Sequence, residues 1–397
     1  MRKVVVIGCG YVGLPAALLL AKAGHQVVGV DINTELVSNI NKGKIHIEDE
    51  KLQSILNEPS VRKNFIATNK PDYGDVFIIA VPTPIDRRRK VSDLSYVMNA
   101  IESILPFLRK GNLVIVESTI PPLTCRERIK PLLEKTGLNV GNELFLAHCP
   151  ERVLPGNIHD EIIKNDRIIG GINEKSNTMA KEIYETFIKS ELLITDDVTA
   201  EFCKLMENTY RDVNIALANE FSLIAESVRV DIHKAIEMAN KHPRVKIHTP
   251  GIGVGGHCIP IDPWFIAEIA PDKANLIRQA RIINDNMPRY VASKIRKILS
   301  KIKNPKIVLL GRSYKPNVAD ERESPAIEIY EILKTDGYDV ESYDPFINGY
   351  KYSSLLDITK GIDCLIILVK HKIVLEEFNR EKEKILNNMR HKIVIEF

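Results

Sequence analysis

The chain lacks any long hydrophobic run, any strong net charge and any close pair of cysteines, and each absence removes a class of protein. Its longest apolar stretches, such as Val76 to Val81 and Cys364 to Val369, are strand-sized, whereas a membrane helix needs about 18 residues or more. Lys and Arg number 55 against 52 Asp and Glu, a formal charge of +3, so there is no basic field to suit nucleic acid as the main partner. The six cysteines, at 9, 125, 149, 203, 258 and 364, form no Cys-x-x-Cys pair and accompany no His cluster. A disulfide framework or a metal site is therefore not expected, and a reducing, cytoplasmic setting is. Arg2 and Lys3 lead straight into a strand-like run without an h-region, so no signal peptide is expected.

What is present is an ordinary globular composition, 44% hydrophobic and 27% charged over 397 residues, long enough for two or three domains. Short Val/Ile-rich runs alternate with helical stretches along the first 150 residues, the pattern of a parallel sheet flanked by helices. The expected strands are Lys3 to Ile7, Gln26 to Val30, Val76 to Val81, Val114 to Ser118 and Leu144 to His148. From Thr199 to Val230 a stretch free of Gly and Pro reads as one long helix, a linker with a dimerisation surface. Alternation resumes at Lys306 to Leu310, with a helix near Ser324 to Asp336 and strands at Asp339 to Tyr343, Cys364 to Val369 and Lys392 to Glu396. The fold class expected is α/β. Two Rossmann-like domains, 1–198 and 301–397, flank a helical region, 199–300.

Gly8-Cys9-Gly10-Tyr11-Val12-Gly13 directly follows the first strand and opens a helix. Glycines at these positions allow a tight turn, close backbone approach to a pyrophosphate and close helix packing. Asp31 ends the second strand, where a carboxylate binds ribose hydroxyls and repels a 2′-phosphate; NAD is therefore expected over NADP. Val81-Pro82-Thr83-Pro84 and Glu117-Ser118-Thr119-Ile120-Pro121-Pro122 end two further strands. Each offers a threonine hydroxyl to a ligand or, alternatively, is a stiff loop with its hydroxyl satisfied. On the long helix Lys204, Asn208 and Arg211 share one face with Ile215. That face is either solvated or a partly buried site suiting Lys204 to proton transfer.

The most unusual segment is Gly253-Val254-Gly255-Gly256-His257-Cys258-Ile259-Pro260-Ile261-Asp262-Pro263-Trp264-Phe265. Glycines around a His-Cys pair, with Asp262 close by, suit a nucleophilic thiol better than an inert one. Trp264 is expected to pack this loop. An NAD site with a nucleophilic Cys258 points to oxidation beyond the aldehyde, through a thiohemiacetal and a thioester.

Together with Cys149-Pro150-Glu151-Arg152-Val153-Leu154-Pro155-Gly156, Glu207-Asn208-Thr209-Tyr210-Arg211, and Tyr314-Lys315-Pro316 with Asp320, Arg322, Glu323, Ser324 and Pro325, these motifs resemble the UDP-glucose/GDP-mannose dehydrogenase family nearly end to end. The resemblance implies Cys258 as nucleophile, Lys204 as proton donor and acceptor, and Glu151, Asp262 and Asn208 around the chemistry. It implies substrate contacts from Arg152, Val153, Lys204, Asn208, Arg211, His242, Arg244, Gly255, Tyr314 and Lys315, with Arg244 reaching across a homodimer interface. The cofactor side would be Gly8, Gly10, Tyr11, Val12, Gly13, Asp31, Thr83, Thr119 and Arg322. His242-Pro243-Arg244-Val245 before the cysteine loop is most similar to members acting on UDP-N-acetyl-D-mannosamine. That implies four-electron oxidation at C6 to a uronate, a glycan precursor; UDP-N-acetylglucosamine or UDP-glucose is the alternative substrate. Two departures stand out. Leu123 occupies a place where the family usually has Gly, and a basic contact usual beyond the last strand is absent, truncated or supplied by Arg390 or Lys392.

Overall fold

In the computed structural model the described residues are 1–47, 49–153, 158–349 and 353–397. Leu154, Pro155 and Gly156 of the Cys149 motif lie outside them. The chain divides into two compact units, Met1–Glu207 with Trp264–Pro271, and Asn208–Pro263 with Asp272–Phe397.

The first unit is built on a sheet with, among the described residues, eight strands: β1 (Lys3–Ile7), β2 (Gln26–Val30), β3 (Phe65–Thr68), β4 (Val76–Ile79), β7 (Leu113–Val116), β8 (Phe145–His148), β9 (Arg167–Gly171) and β10 (Leu192–Asp196). A small antiparallel hairpin, β5 (Ile85–Asp86) and β6 (Val91–Ser92), follows β4. The sheet order is β10-β9-β8-β7-β4-β1-β2-β3, so the direction of winding reverses between β1 and β4, where a doubly wound fold opens its ligand crevice. Val4, Val5, Val6, Phe77, Ile78 and Ile79 are wholly buried. A strand covered by helices on both faces has no polar side to alternate with, which explains its unbroken apolar runs.

The expectation of a parallel sheet holds from β3 to β8, but β9 runs antiparallel to β8 and then pairs in parallel with β10. Three expected strands end early, among them the one expected over Cys364 to Val369, which stops at Ile367. β4 stops at Ile79, two residues early, because the Ile79 carbonyl accepts the N–H groups of both Glu117 and Ser118 and the ladder cannot continue; β7 stops at Val116 for the same reason.

The second unit carries a four-stranded parallel sheet, β12-β11-β13-β14, made of β11 (Lys306–Leu310), β12 (Asp339–Tyr343), β13 (Cys364–Ile367) and β14 (Ile393–Glu396). The helix Pro325–Thr335 follows β11, with Ser324 as its N-cap. The long helix runs Asp197–Ser227, and the contact division of the chain falls inside it. Within the second unit Arg281, 2% exposed, pairs with Asp212 of this helix and with Asp285. Asn219 donates to Asn284 at 2.9 Å and accepts from the Gly251 N–H at 2.8 Å. These bonds tie the long helix, the helix Asn275–Leu299 and the approach to the cysteine loop together. Among the described residues no helix is long and apolar enough to cross a membrane.

Candidate active site

The glycine loop of the first unit is shaped by contacts that only hydrogen side chains permit. Gly8 has φ +96°, and a Cβ there would lie 2.3 Å from the Ala80 carbonyl oxygen; one on Gly13 would lie 1.9 Å from the Gly8 oxygen. Such approaches are impossible for any other residue. Around Gly10 there is open space, as a pyrophosphate needs. Asp31 Oδ2 accepts the Cys9 N–H at 2.9 Å and Oδ1 accepts the Asn33 N–H at 2.9 Å. Each oxygen keeps a lone pair for a ribose hydroxyl. Ser118 Oγ donates to the Val81 carbonyl at 2.7 Å and accepts its N–H at 2.9 Å, locking together the loops that carry Thr83 and Thr119. Thr83 Oγ1 is buried without a hydrogen-bond partner. A buried hydroxyl is not left unpaired without cause, so the ligand reading of this loop is preferred. The set fits a dinucleotide. Tyr11 is exposed and meets the His46 ring edge-on.

Behind the β7 and β8 ends lies a buried ionic cluster that the sequence did not disclose. Arg167, 3% exposed, donates to Glu151 Oε2 and, at 2.6 Å, to Glu117 Oε1, and Tyr184 Oη also donates to Glu117 Oε1 at 2.6 Å. Glu151 Oε1 accepts the Arg152 N–H at 2.6 Å. Burial raises the Glu117 carboxyl above its ordinary value, against the pull of Arg167. His148 is fully buried and pushed down to about 3, first by burial; the nearby charge of Lys204, itself half-buried, acts in the same direction. Arg152 is held by Glu207 at 2.7 Å and by the Asp166 carbonyl at 2.8 Å. Val153 is half-buried against the same core.

In the second unit Asn208 is fully buried. Its amide donates to Asp262 Oδ2 and accepts from Arg211, so it aligns Arg211 and Asp262. The Asp262 N–H donates to the Cys258 carbonyl at 2.9 Å, and His257 Nδ1 lies 3.2 Å from Cys258 Sγ. Burial, then the charge of Arg322, lower the His257 imidazole, which keeps it neutral at pH 7. Gly255 and Gly256 lie flat on Tyr314: a Cβ on Gly255 would be 2.7 Å from Tyr314 Cβ, and one on Gly256 3.0 Å from its ring. The Gly256 N–H donates to the Arg322 carbonyl at 2.9 Å. Arg322 itself donates two hydrogen bonds to the Asp320 carboxylate, at 2.9 and 2.6 Å.

Not every expected residue joins these groups. His242 and Arg244 are exposed after the helix Ile232–Ala239, and among the described residues neither bonds to the cysteine loop. Trp264, expected to pack that loop, belongs to the first unit, where Lys90 Nζ stands 5.3 Å from its ring centroid. Arg390 and Lys392, the basic candidates near the last strand, are engaged by Asp363 and by Asn387. Leu123 has φ +74°, the left-handed conformation that explains why glycine suits this position. Its N–H and that of Cys125 are both accepted by the buried Glu201, at 2.6 and 2.8 Å.

Three family models match in order: the NAD binding domain over residues 2–188, the central domain over 198–286 and the UDP binding domain over 308–397. A UDP-N-acetyl-D-mannosamine dehydrogenase of Methanococcus maripaludis is 46% identical, over all of this chain and 92% of its own length. Among solved structures, a UDP-D-ManNAc dehydrogenase from Pyrococcus horikoshii is 43% identical with a TM-score of 0.93, covering 99% of this chain and 94% of the other. A UDP-N-acetyl-mannosamine dehydrogenase from S. aureus is 44% identical with a TM-score of 0.91 and the same coverage. The chain belongs to the UDP-glucose/GDP-mannose dehydrogenase family and is an NAD-dependent enzyme acting on a nucleotide sugar.

Proposed function

We propose that the chain oxidises UDP-N-acetyl-D-mannosamine at C6 to UDP-N-acetyl-D-mannosaminuronate, in two hydride transfers joined by covalent capture on Cys258. The observation that carries this reading is the pair His257 Nδ1 and Cys258 Sγ, 3.2 Å apart in a glycine-lined loop. NAD, held by the glycine loop, Asp31, Thr83 and Thr119, supplies the hydride acceptor, and two molecules are consumed per sugar.

Lys204 takes the proton of the C6 hydroxyl as the first hydride leaves, giving the aldehyde. The neutral imidazole of His257 accepts the Cys258 thiol proton as sulfur adds to the aldehyde carbon, and Lys204 returns its proton to the resulting oxyanion, giving a thiohemiacetal. Loss of the second hydride, with the hydroxyl proton passing back to Lys204, yields a thioester. Water, activated by the Glu151 carboxylate, cleaves the C–S bond to release the acid and return the thiol. Asp262, aligned by Asn208 and Arg211, holds the Cys258 backbone. Arg152, Val153, Arg211, Gly255, Tyr314 and Lys315 are the proposed substrate contacts, with Arg322 on the cofactor side.

A homodimer completes the proposal. Tyr210, Leu217, Phe221 and Ile224, on the second-unit part of the long helix, are between 38% and 61% exposed, an apolar stripe that a second copy would bury; His242 and Arg244 are assigned to the partner's substrate. A thiol nucleophile also fits a reducing cytoplasm.

The test is turnover against UDP-N-acetylmannosamine, UDP-N-acetylglucosamine and UDP-glucose, with NADH counted per uronate. Two NADH per uronate with the manno substrate are expected, and one per sugar would defeat the covalent scheme. Cys258→Ser should abolish acid formation while leaving NAD affinity intact.

A further inference from the structure

His371 opens the helix Lys372–Asn388 as its N-cap residue and is wholly buried, yet it belongs to none of the motifs read from the sequence. Its Nδ1 accepts the Asn317 N–H at 3.0 Å. A backbone N–H only donates, so the ring proton sits on Nε2. Nε2 faces Asp344 Oδ2 at 3.1 Å and Ser313 Oγ at 3.3 Å. Ser313 Oγ in turn donates to the Lys315 carbonyl at 3.0 Å. Asp344 is 1% exposed and also accepts the N–H groups of Arg312 at 2.6 Å, Ser313 at 3.0 Å and Phe346 at 2.8 Å. Asn317, in the left-handed region at φ +60°, accepts the Lys372 N–H on Oδ1 at 2.9 Å.

The loop Arg312–Asn317 is thus fastened at both ends to one imidazole, and Tyr314 and Lys315 lie between the fastenings. Tyr314 is also the surface on which Gly255 and Gly256 rest, three and two residues before Cys258. A buried polar network of this kind specifies one loop conformation, because every alternative leaves a desolvated group unpaired.

We infer that His371 is a positioning residue of the site: by accepting from Asn317 and donating to Asp344 it sets the loop that carries Tyr314 and Lys315 and, through Tyr314, the conformation of the Cys258 loop. The inference rests on the reading of Tyr314 and Lys315 as nucleotide-sugar contacts and of Cys258 as the nucleophile.

The side-chain chemistry allows the two bonds to be separated. His371→Asn keeps an acceptor near the Nδ1 position and loses the bond to Asp344. His371→Gln keeps a donor near the Nε2 position and loses the acceptor for Asn317. His371→Phe keeps the ring shape and loses both. In the full-length chain, calorimetry with UDP and with NAD, and the rate of iodoacetamide alkylation at Cys258 read by peptide mass, are compared with wild type. His371→Phe should weaken UDP binding by about tenfold or more and change the alkylation rate several-fold, with NAD affinity unchanged. The Asn and Gln variants should fall between and suffice if the Phe variant does not fold. Wild-type UDP affinity and alkylation rate in both Asn and Gln variants would overturn the inference. Alkylation requires neither substrate nor turnover, so it tests the positioning role alone; a wild-type enzyme that oxidises no UDP-sugar would defeat the dehydrogenase reading instead.

Discussion

Arg167→Met is the sharpest test of the ionic cluster in the first unit. The arginine is 3% exposed and serves two buried carboxylates, Glu117 at 2% and Glu151 at 9%. Methionine fills much of the volume, so cavity formation contributes little and the main loss is charge compensation. Removing one partner of a buried ion pair costs about 3–5 kcal/mol. The cost depends on pH with a definite sign. Without the guanidinium, Glu117, already raised by burial, would hold a proton in the folded state that the unfolded chain releases above its ordinary carboxylate range. Where the native state binds more protons, stability falls as pH rises, by up to about 1.4 kcal/mol per pH unit for one carboxylate. The variant should therefore lie closest to wild type near pH 5 and fall furthest behind near pH 8. Guanidinium unfolding followed by tryptophan fluorescence reports on this unit, because Trp264 is the only tryptophan and belongs to it. A loss of equal size at both pH values would refute the charge argument and leave only packing.

Asp31→Ala should weaken NAD by about tenfold or more, the value of one charge-assisted hydrogen bond, and relax discrimination against NADP; an unaltered preference in a binding titration would mean that another residue reads the ribose. Leu123→Gly should raise stability by up to about 1 kcal/mol, since relief of the left-handed strain exceeds the added unfolded-state entropy of glycine; a lower denaturation midpoint would show that the leucine packing outweighs it. In the second unit, burial alone would raise the Asp344 carboxyl, but hydrogen bonds from His371 and from the Arg312, Ser313 and Phe346 N–H groups hold it at about 2, below the ordinary 3.8. A depressed carboxyl stabilises above its unfolded value and loses that contribution as pH falls, so Asp344→Asn should cost about 2 kcal/mol at neutral pH, with a deficit that shrinks between about pH 4 and pH 2. A deficit independent of pH would contradict this.

Local chemistry accounts for what was legible along the chain. The strands β1, β2, β11 and β12 begin and end at the residues expected, and each is closed by the Gly or Asp directly after it, at Gly8, Asp31, Gly311 and Asp344, which marks where the strand stops. The cysteine loop and the glycine loop were equally legible: glycine density is required only where backbone must approach backbone or ligand, and Gly8 and Gly13 make that approach. The reversal of β9 was not legible. Arg167–Gly171 has the same composition as a parallel strand, and its direction depends on the path of the chain around it.

By itself, then, the sequence determined the α/β class, the glycine loop that opens the NAD-binding unit and the long helix, all of which depend on residues within a turn or a loop of one another. Only the tertiary structure decided which polar groups share a burial site. Arg167 reaches Glu117 across 50 residues, Asn208 reaches Asp262 across 54, and His371 reaches Ser313 across 58. No spacing rule marks such partners, since a buried charge or imidazole is tolerated only after the fold has brought its counterpart within hydrogen-bond distance.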